Sequence, residues 1–195
     1  STFFGGSVDD DVHGISNDGT NTWVVGHTQS PTFPVVNSGG LSFFQGSYSG
    51  GGGDGFLLKF DNIYNLIHAT YLGGTGGEEV MAVVTNSNEV CISGFTSSSD
   101  FPTLNPGGGA YFQSALSGSN DGFLMKFNHS ADLLWSTYVG GTVTEYLNAL
   151  NYNNGDLFVG GVSKSSNFPT LNSGTFFQSF VFDNDAVIMK FNSTN

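Results

Sequence analysis

The chain has 195 residues, enough to bury a core, yet only 10% are charged and 29 are glycine, a composition of short strands and many turns that excludes a helical protein. Its net charge is -12, and its four basic residues are all lysine, which excludes nucleic acid and anionic membrane as partners because both need basic surface. No apolar run approaches the ~20 residues of a membrane helix, so no membrane insertion is expected.

Ser1, with no preceding Met or signal sequence, reads as the start of a processed chain or an excised segment. From there one module recurs. Gly-Gly pairs stand at Gly5-Gly6, Gly73-Gly74 and Gly140-Gly141, at spacings of 68 and 67 residues. Twenty residues after each pair comes a further glycine (Gly26, Gly94, Gly161), and seven after that a Phe-Pro: Phe33-Pro34, Phe101-Pro102 and Phe168-Pro169. An aromatic pair before glutamine follows as Phe43-Phe44-Gln45, Tyr111-Phe112-Gln113 and Phe176-Phe177-Gln178, and only here do the copies differ in length, as surface loops do. The repeats span 1–68, 69–135 and 136–195 of a single domain, 1–195.

Within the middle copy, TYLGG (70–74) is a strand ending in a glycine turn, and GGEE leads into a second β-rich run, Val80–Val84. The turn Asn86–Asn88 passes into Val90–Phe95, matched by TWVVGHT and DLFVGGVS in the other copies. A long Ser-, Gly- and Pro-rich connection (97–120) separates this hairpin from the strand Gly122–Phe127, which turns back through NHSAD into Leu133–Val139. Alternation in DGFLMKF puts Phe123, Met125 and Phe127 on one face and Leu124 with Lys126 on the other, so both faces carry apolar bulk and sheets must stack on sheets. A small residue recurs in the first strand (Gly14, Ala82, Ala149), as expected where strands crowd toward an axis. The predicted fold is all-β and β-propeller-like, with three four-stranded antiparallel blades. Because STFFGG (1–6) is a fourth-strand motif in surplus and the chain ends after a third-strand motif, the staggered termini are expected to pair, Ser1–Phe4 with Val187–Phe191, within one chain or between neighbours.

STYVGG, EVCISGFTSSSDFPT, the aromatic-Gln pair and DGFLMKF together resemble the SBBP beta-propeller repeat, across the whole chain. The third copy departs from it with Ala186 for glycine, and the first with Val35 for the threonine after Phe-Pro. The resemblance implies a repeat module common in secreted and surface proteins and does not imply one activity.

For chemistry, the four histidines (His13, His27, His68, His129) fall at unrelated places in the repeat and at no metal-ligand spacing. There is no GxSxG elbow, phosphate loop or HExxH. The lone Cys91 reads as a small apolar residue. Carboxylates do recur. Asp10, Glu78 and Glu145 follow each Gly-Gly by four residues, and rotation about a propeller axis would let them converge on Ca²⁺, the one cofactor the sequence admits. Asp54, Asp121 and Asp185 precede each third strand, where turn chemistry or pairing with Lys59, Lys126 and Lys190 accounts for them. The ligand-binding candidates are Phe44, Gln45, Phe112, Gln113, Phe177 and Gln178, whose rings and amides suit sugars, against the simpler reading that they anchor the long loop. Asn128 and Asn192 head sequons at matching positions and are glycosylation candidates. The expectation is a non-enzymatic structural or adhesive module, extracellular or on the cell surface, a unit of a surface protein or filament. Self-association or neighbouring domains are its expected partners. A calcium-assisted carbohydrate-binding propeller is the alternative, and a polysaccharide hydrolase or lyase a lesser one.

Overall fold

The computed structural model describes residues 2–171 and 183–192. Among them are eleven strands in three antiparallel sheets, and no helix. The first sheet holds β1 (Asp10–Asn17), β2 (Thr22–Thr28), β3 (Asp54–Phe60) and β4 (Leu66–Leu72). The second holds β5 (Glu78–Thr85), β6 (Glu89–Thr96), β7 (Asp121–Asn128) and β8 (Leu133–Val139), and the third β9 (Glu145–Asn153), β10 (Asp156–Ser163) and β11 (Asp185–Phe191). Each sheet is a meander in chain order, and the four strands expected in the middle copy lie within β5 to β8.

Side-chain oxygens set the hairpin turns. Asp18 Oδ1 accepts the Thr20 and Asn21 amides at 2.8 and 2.7 Å, and Asn86 Oδ1 accepts those of Asn88 and Glu89 at 2.8 and 2.9 Å. The recurring mid-strand glycine has a different cause. β1, β5 and β9 each bulge, at His13, Met81 and Asn148, and the bulge pushes a carbonyl into the neighbouring strand. A Cβ at Gly26, Gly94 or Gly161 would collide with the carbonyl of Asp11, Glu79 or Tyr146.

Alternation then builds the cores. Phe123, Met125 and Phe127 face the first sheet and share a cluster with Trp23, Val25, Leu57 and Leu72. Leu124, on the other face of β7, joins Leu147, Leu157 and Val159 of the third sheet. A third cluster (Val24, Phe56, Leu58, Tyr71) covers the free face of the first sheet, under Phe33 and Phe4. The first strands meet across the stack, β1 on β5 and β5 on β9. The small residue at Gly14 serves this contact, since a Cβ there would stand 3.2 Å from the Val83 amide nitrogen.

The long β2–β3 and β6–β7 connections fold back along the outer strand of their own sheets. Val36 and Ala69 exchange backbone bonds of 2.9 and 2.8 Å, and Leu104 and Ser136 bonds of 2.9 and 3.0 Å. The outer edges of β4 and β8 are thereby capped.

Two expectations need correction. The third sheet has three strands among the described residues, and the three sheets are not closed into a ring. The termini do not pair within the chain, one of the two forms of pairing expected: residues 2–9 form no strand, and Phe4 does not pair with β11. Instead its ring packs on Phe33 and Phe60 at 5.1 and 6.4 Å, because the apolar face of the first sheet lies beside it while the second sheet stands between it and β11.

Candidate functional site

The recurring polar residues gather where one sheet hands over to the next. After β4 the chain crosses to β5 through Gly73–Gly77. The Gly73 amide donates to Gln45 Oε1 of the first sheet's loop at 3.1 Å, and the Gly74 amide to Glu78 Oε2 of the second sheet at 2.9 Å. The other oxygen of Glu78 accepts from Thr96 Oγ1 at 2.6 Å and from Ser98 Oγ. The next joint repeats the arrangement: Gly140 to Gln113 Oε1 at 3.0 Å, Gly141 to Glu145 Oε2 at 2.8 Å, and Ser163 Oγ to Glu145 Oε1 at 2.7 Å. Ahead of the first sheet, Asp10 accepts from the Gly6 amide at 2.6 Å, Thr28 Oγ1 at 2.5 Å and Ser30 Oγ at 3.2 Å. Glycine leaves room for this clasp, for a Cβ at Gly73 or Gly140 would sit 2.6 Å from Oε2 of Glu78 or Glu145 and force the carboxylate to move. Asp10, Glu78 and Glu145 thus hold equivalent places, each inside its own clasp. No group of three His, Cys, Asp or Glu side chains that could hold a metal ion occurs among the described residues.

A second carboxylate flanks each inter-sheet glycine. The carboxyl of Asp54 would lie 2.7 Å from a Cβ on Gly73, and that of Asp121 2.6 Å from one on Gly140. Asp54 Oδ2 accepts from the Ser49 amide at 2.8 Å and from Gln45 Nε2 at 3.1 Å; Asp121 Oδ2 accepts from the Ser117 amide at 2.9 Å and from Gln113 Nε2 at 2.7 Å. The two differ at the other oxygen. Asp121 Oδ1 accepts the Gly118 amide at 2.9 Å, whereas the buried Asp54 Oδ1 has no partner. The cause is one extra residue between Ser49 and Asp54, compared with Ser117 and Asp121, which carries the matching amide away.

Burial and, secondarily, the nearby Glu78 charge raise the Asp54 carboxyl to about 6, against the pull of the Ser49 amide. Burial also raises Asp121 and Glu78, opposed by their hydrogen bonds. Asp18 goes the other way. Burial would lift it, but bonds from Trp23 Nε1 and from the Asn21 and Thr20 amides hold it at about 2.

Neither Asp54 nor Asp121 pairs with the recurring lysine. Lys59 donates to the His129 carbonyl of the second sheet at 2.6 Å and lies 5.2 Å from the Trp23 ring centroid. Lys126 meets Glu89 at 3.3 Å, and Lys190 meets Asp156 at 2.6 Å. Alternation puts Lys59 and Lys126 on the face opposite Phe56, Phe60, Phe123 and Phe127, away from the aspartate that opens each of those strands.

Among the ligand-binding candidates, Gln45 and Gln113 tie their loops to β4 and β8. Their backbone amides donate to Thr70 Oγ1 and Thr137 Oγ1 at 2.8 Å, and their side chains bridge to Ser49 and Ser117 at 2.7 and 3.0 Å. Phe44 is 36% exposed and Phe112 half-buried; Phe177 and Gln178 lie outside the described residues. The first aromatics of the pairs face inward across the stack, Phe43 on Phe127 and Tyr111 on Phe191, each at 6.2 Å. Asn128 is engaged in its own turn, accepting the Ser130 and Asp132 amides at 2.8 and 3.0 Å and donating to Asp132 Oδ2 at 2.8 Å. Asn192 closes the described chain, and the rest of its sequon lies beyond it.

The histidines stay apart. His13 contacts the Val80 carbonyl, His27 that of Gly52, His129 that of Asn86, and the buried His68 the Ser38 hydroxyl. The hydroxyls of Thr28, Ser30, Thr96, Ser98 and Ser163, which meet the clasp carboxylates, and that of Ser165, which accepts the Val143 amide at 2.8 Å, were absent from the candidates. Their signal is an identical offset from each Gly-Gly pair in all three copies.

No family model matches the chain, and no curated protein does. The likeness to the SBBP repeat therefore rests on the motifs themselves.

Proposed function

We propose that this chain is a propeller-type repeat module of the SBBP kind with a structural or adhesive role, acting outside the cell or at its surface as a unit of a larger surface protein or filament. One observation carries this reading: the polar residues that recur through the repeats, the clasp carboxylates with their hydroxyls and the loop glutamines with their aspartates, have their hydrogen bonds inside the joints and loops they hold. Chemistry that served a substrate would have to leave donors or acceptors facing solvent. Successive meanders stacked face to face, first strand against first strand, are also what blades of a propeller have in common.

A glycan array probed with and without EDTA tests the role. The expected result is no saturable glycan binding in either condition and a thermal midpoint indifferent to added Ca²⁺. Saturable, EDTA-sensitive binding would replace this reading with a calcium-assisted carbohydrate-binding module centred on Phe44 and its loop. Release of reducing ends from polysaccharides would replace it with a hydrolase or lyase.

A further inference from the structure

Parts of both faces used inside the stack stay exposed at its ends, although Val24, Phe56 and Leu58 of the first sheet are already covered by the chain's own loop and Phe4. Between consecutive sheets the same residues meet each time. Leu57 and Leu124 project from one sheet toward the next and are 0% and 1% exposed; their counterpart in the third sheet, Ile188, is 84% exposed. In the reverse direction Val80 and Leu147, both 0% exposed, receive the preceding sheet, whereas their counterpart in the first sheet, Val12, is 64% exposed. The buried Tyr71 and Tyr138 of the last strands correspond to Phe3, whose ring is fully exposed.

From these matched surfaces we infer that the third sheet docks head to tail onto the first sheet of a second copy of this chain, with residues 2–4 of that copy completing the third sheet as its fourth strand. The inference deepens the proposed role as a stacking module and rests on it.

The occupant follows from continuity with an interface the chain already makes twice. Among the described residues β11 pairs with β10 alone, where β7 of the second sheet pairs with both β6 and β8. Residues 2–6 meanwhile occupy, on their own first sheet, the place that the end of a preceding fourth strand takes elsewhere. Phe4 lies on Phe33 and Phe60 as Leu72 lies in the cluster with Val80 and Phe101, and the Gly6 amide reaches Asp10 as that of Gly74 reaches Glu78. The arriving sheet therefore finds its fourth strand already seated.

The register is fixed by the second sheet. There Gly122 opposes Val139, Phe123 opposes Tyr138 and Leu124 opposes Thr137. By the repeat alignment Ala186 then opposes Phe4, Val187 opposes Phe3 and Ile188 opposes Thr2 of the second copy. The Tyr138 amide points away from β7, to the Gln113 carbonyl, so the Phe123 and Tyr138 pair is of the close kind that does not exchange backbone hydrogen bonds. Val187 and Phe3 inherit that spacing, which suits a disulfide between cysteines. The contact is heterologous, so association continues copy by copy until a ring closes or a filament forms.

The test mixes the Phe3→Cys and Val187→Cys variants of the full chain under mild oxidation and weighs the wild type by light scattering over a concentration series. The native Cys91 does not interfere, since it is buried and burial pushes its thiol up to about 12. Expected are a wild-type mass that rises with concentration and a Phe3→Cys to Val187→Cys cross-link between chains. Ile188→Glu should weaken association about tenfold to a hundredfold, the range set by losing one buried aliphatic side chain, with an unchanged thermal midpoint of the isolated chain. A monomer at every concentration with no cross-link would overturn the inference and leave the structural role standing, whereas glycan binding would remove that role whatever the mass. A double variant that closes a disulfide within one monomeric chain would overturn it in favour of intramolecular closure. Equal cross-linking of Phe3→Cys to Ile188→Cys, which faces the other side of the strand, would overturn the register.

Discussion

Replacing Asp54 by asparagine should stabilise the protein at neutral pH, an unusual outcome for a fully buried polar residue. The Asp54 carboxyl titrates at about 6 in the fold, against 3.8 for the free side chain. Between those values the folded chain holds a proton that the unfolded chain has released, so stability falls as pH rises from about 4 to about 6 and is level above. At about 1.4 kcal/mol per pKa unit, ionised Asp54 costs the fold about 3 kcal/mol at pH 7. In Asp54→Asn the amide oxygen keeps the donors of Ser49 and Gln45, and the NH₂ group takes the place of the unpartnered Oδ1, beside Glu78. The gain should approach 3 kcal/mol at pH 7 and shrink toward zero at pH 4. Asp121→Asn provides the contrast. Both of its oxygens accept backbone amides, from Ser117 and Gly118, so an NH₂ group there would face a donor and cost about 1–3 kcal/mol at pH 7. Urea unfolding followed by the fluorescence of the buried Trp23 and Trp135 measures both variants at both pH values. A loss at pH 7 in Asp54→Asn, or an equal gain at pH 4 and pH 7, would refute the account of Asp54.

Gly94→Ala should cost more than about 2 kcal/mol in the same assay, because its methyl collides with a bulge carbonyl that the strand pairing fixes, whereas Gly19→Ala, with open space around its Cβ, should cost only the strain of its left-handed backbone. Cys91 should react with a thiol reagent only as fast as the protein unfolds, since its thiol is buried and titrates at about 12; rapid stoichiometric labelling of the native chain would contradict that placement.

Period and face were legible in the sequence because they depend on residue types that do only one thing well. A Gly-Gly pair and a lone glycine in a strand mark sites where a Cβ has no room, and the alternation through Phe123, Leu124 and Met125 maps directly onto two separate cores. The clasps were half legible. Glu78 stands out in an acid-poor stretch, but its partners Thr96 and Ser98 are hidden by the abundance of serine and threonine. The orphaned oxygen of Asp54 was not legible, since it arises from one added residue in a loop whose length already varies. The position of residues 2–6 failed for a further reason. Strand complementarity identifies an edge that could pair with them, but within one chain the apolar face of the first sheet is the surface in reach, and Phe4 packs there.

Each clasp is closed by residues 4 and 18 positions from its carboxylate, joined at Asp10 and Glu78 by one 20 positions away. A duplication that copies one period of the gene therefore copies a finished joint, and no distant residue has to change in step for an added sheet to sit at the right angle to its neighbour. Arrays of this kind can lengthen or shorten by unequal recombination at little cost to folding. The same locality favours rapid growth of structure from whichever joint forms first, since little chain has to be closed into a loop before the clasp engages.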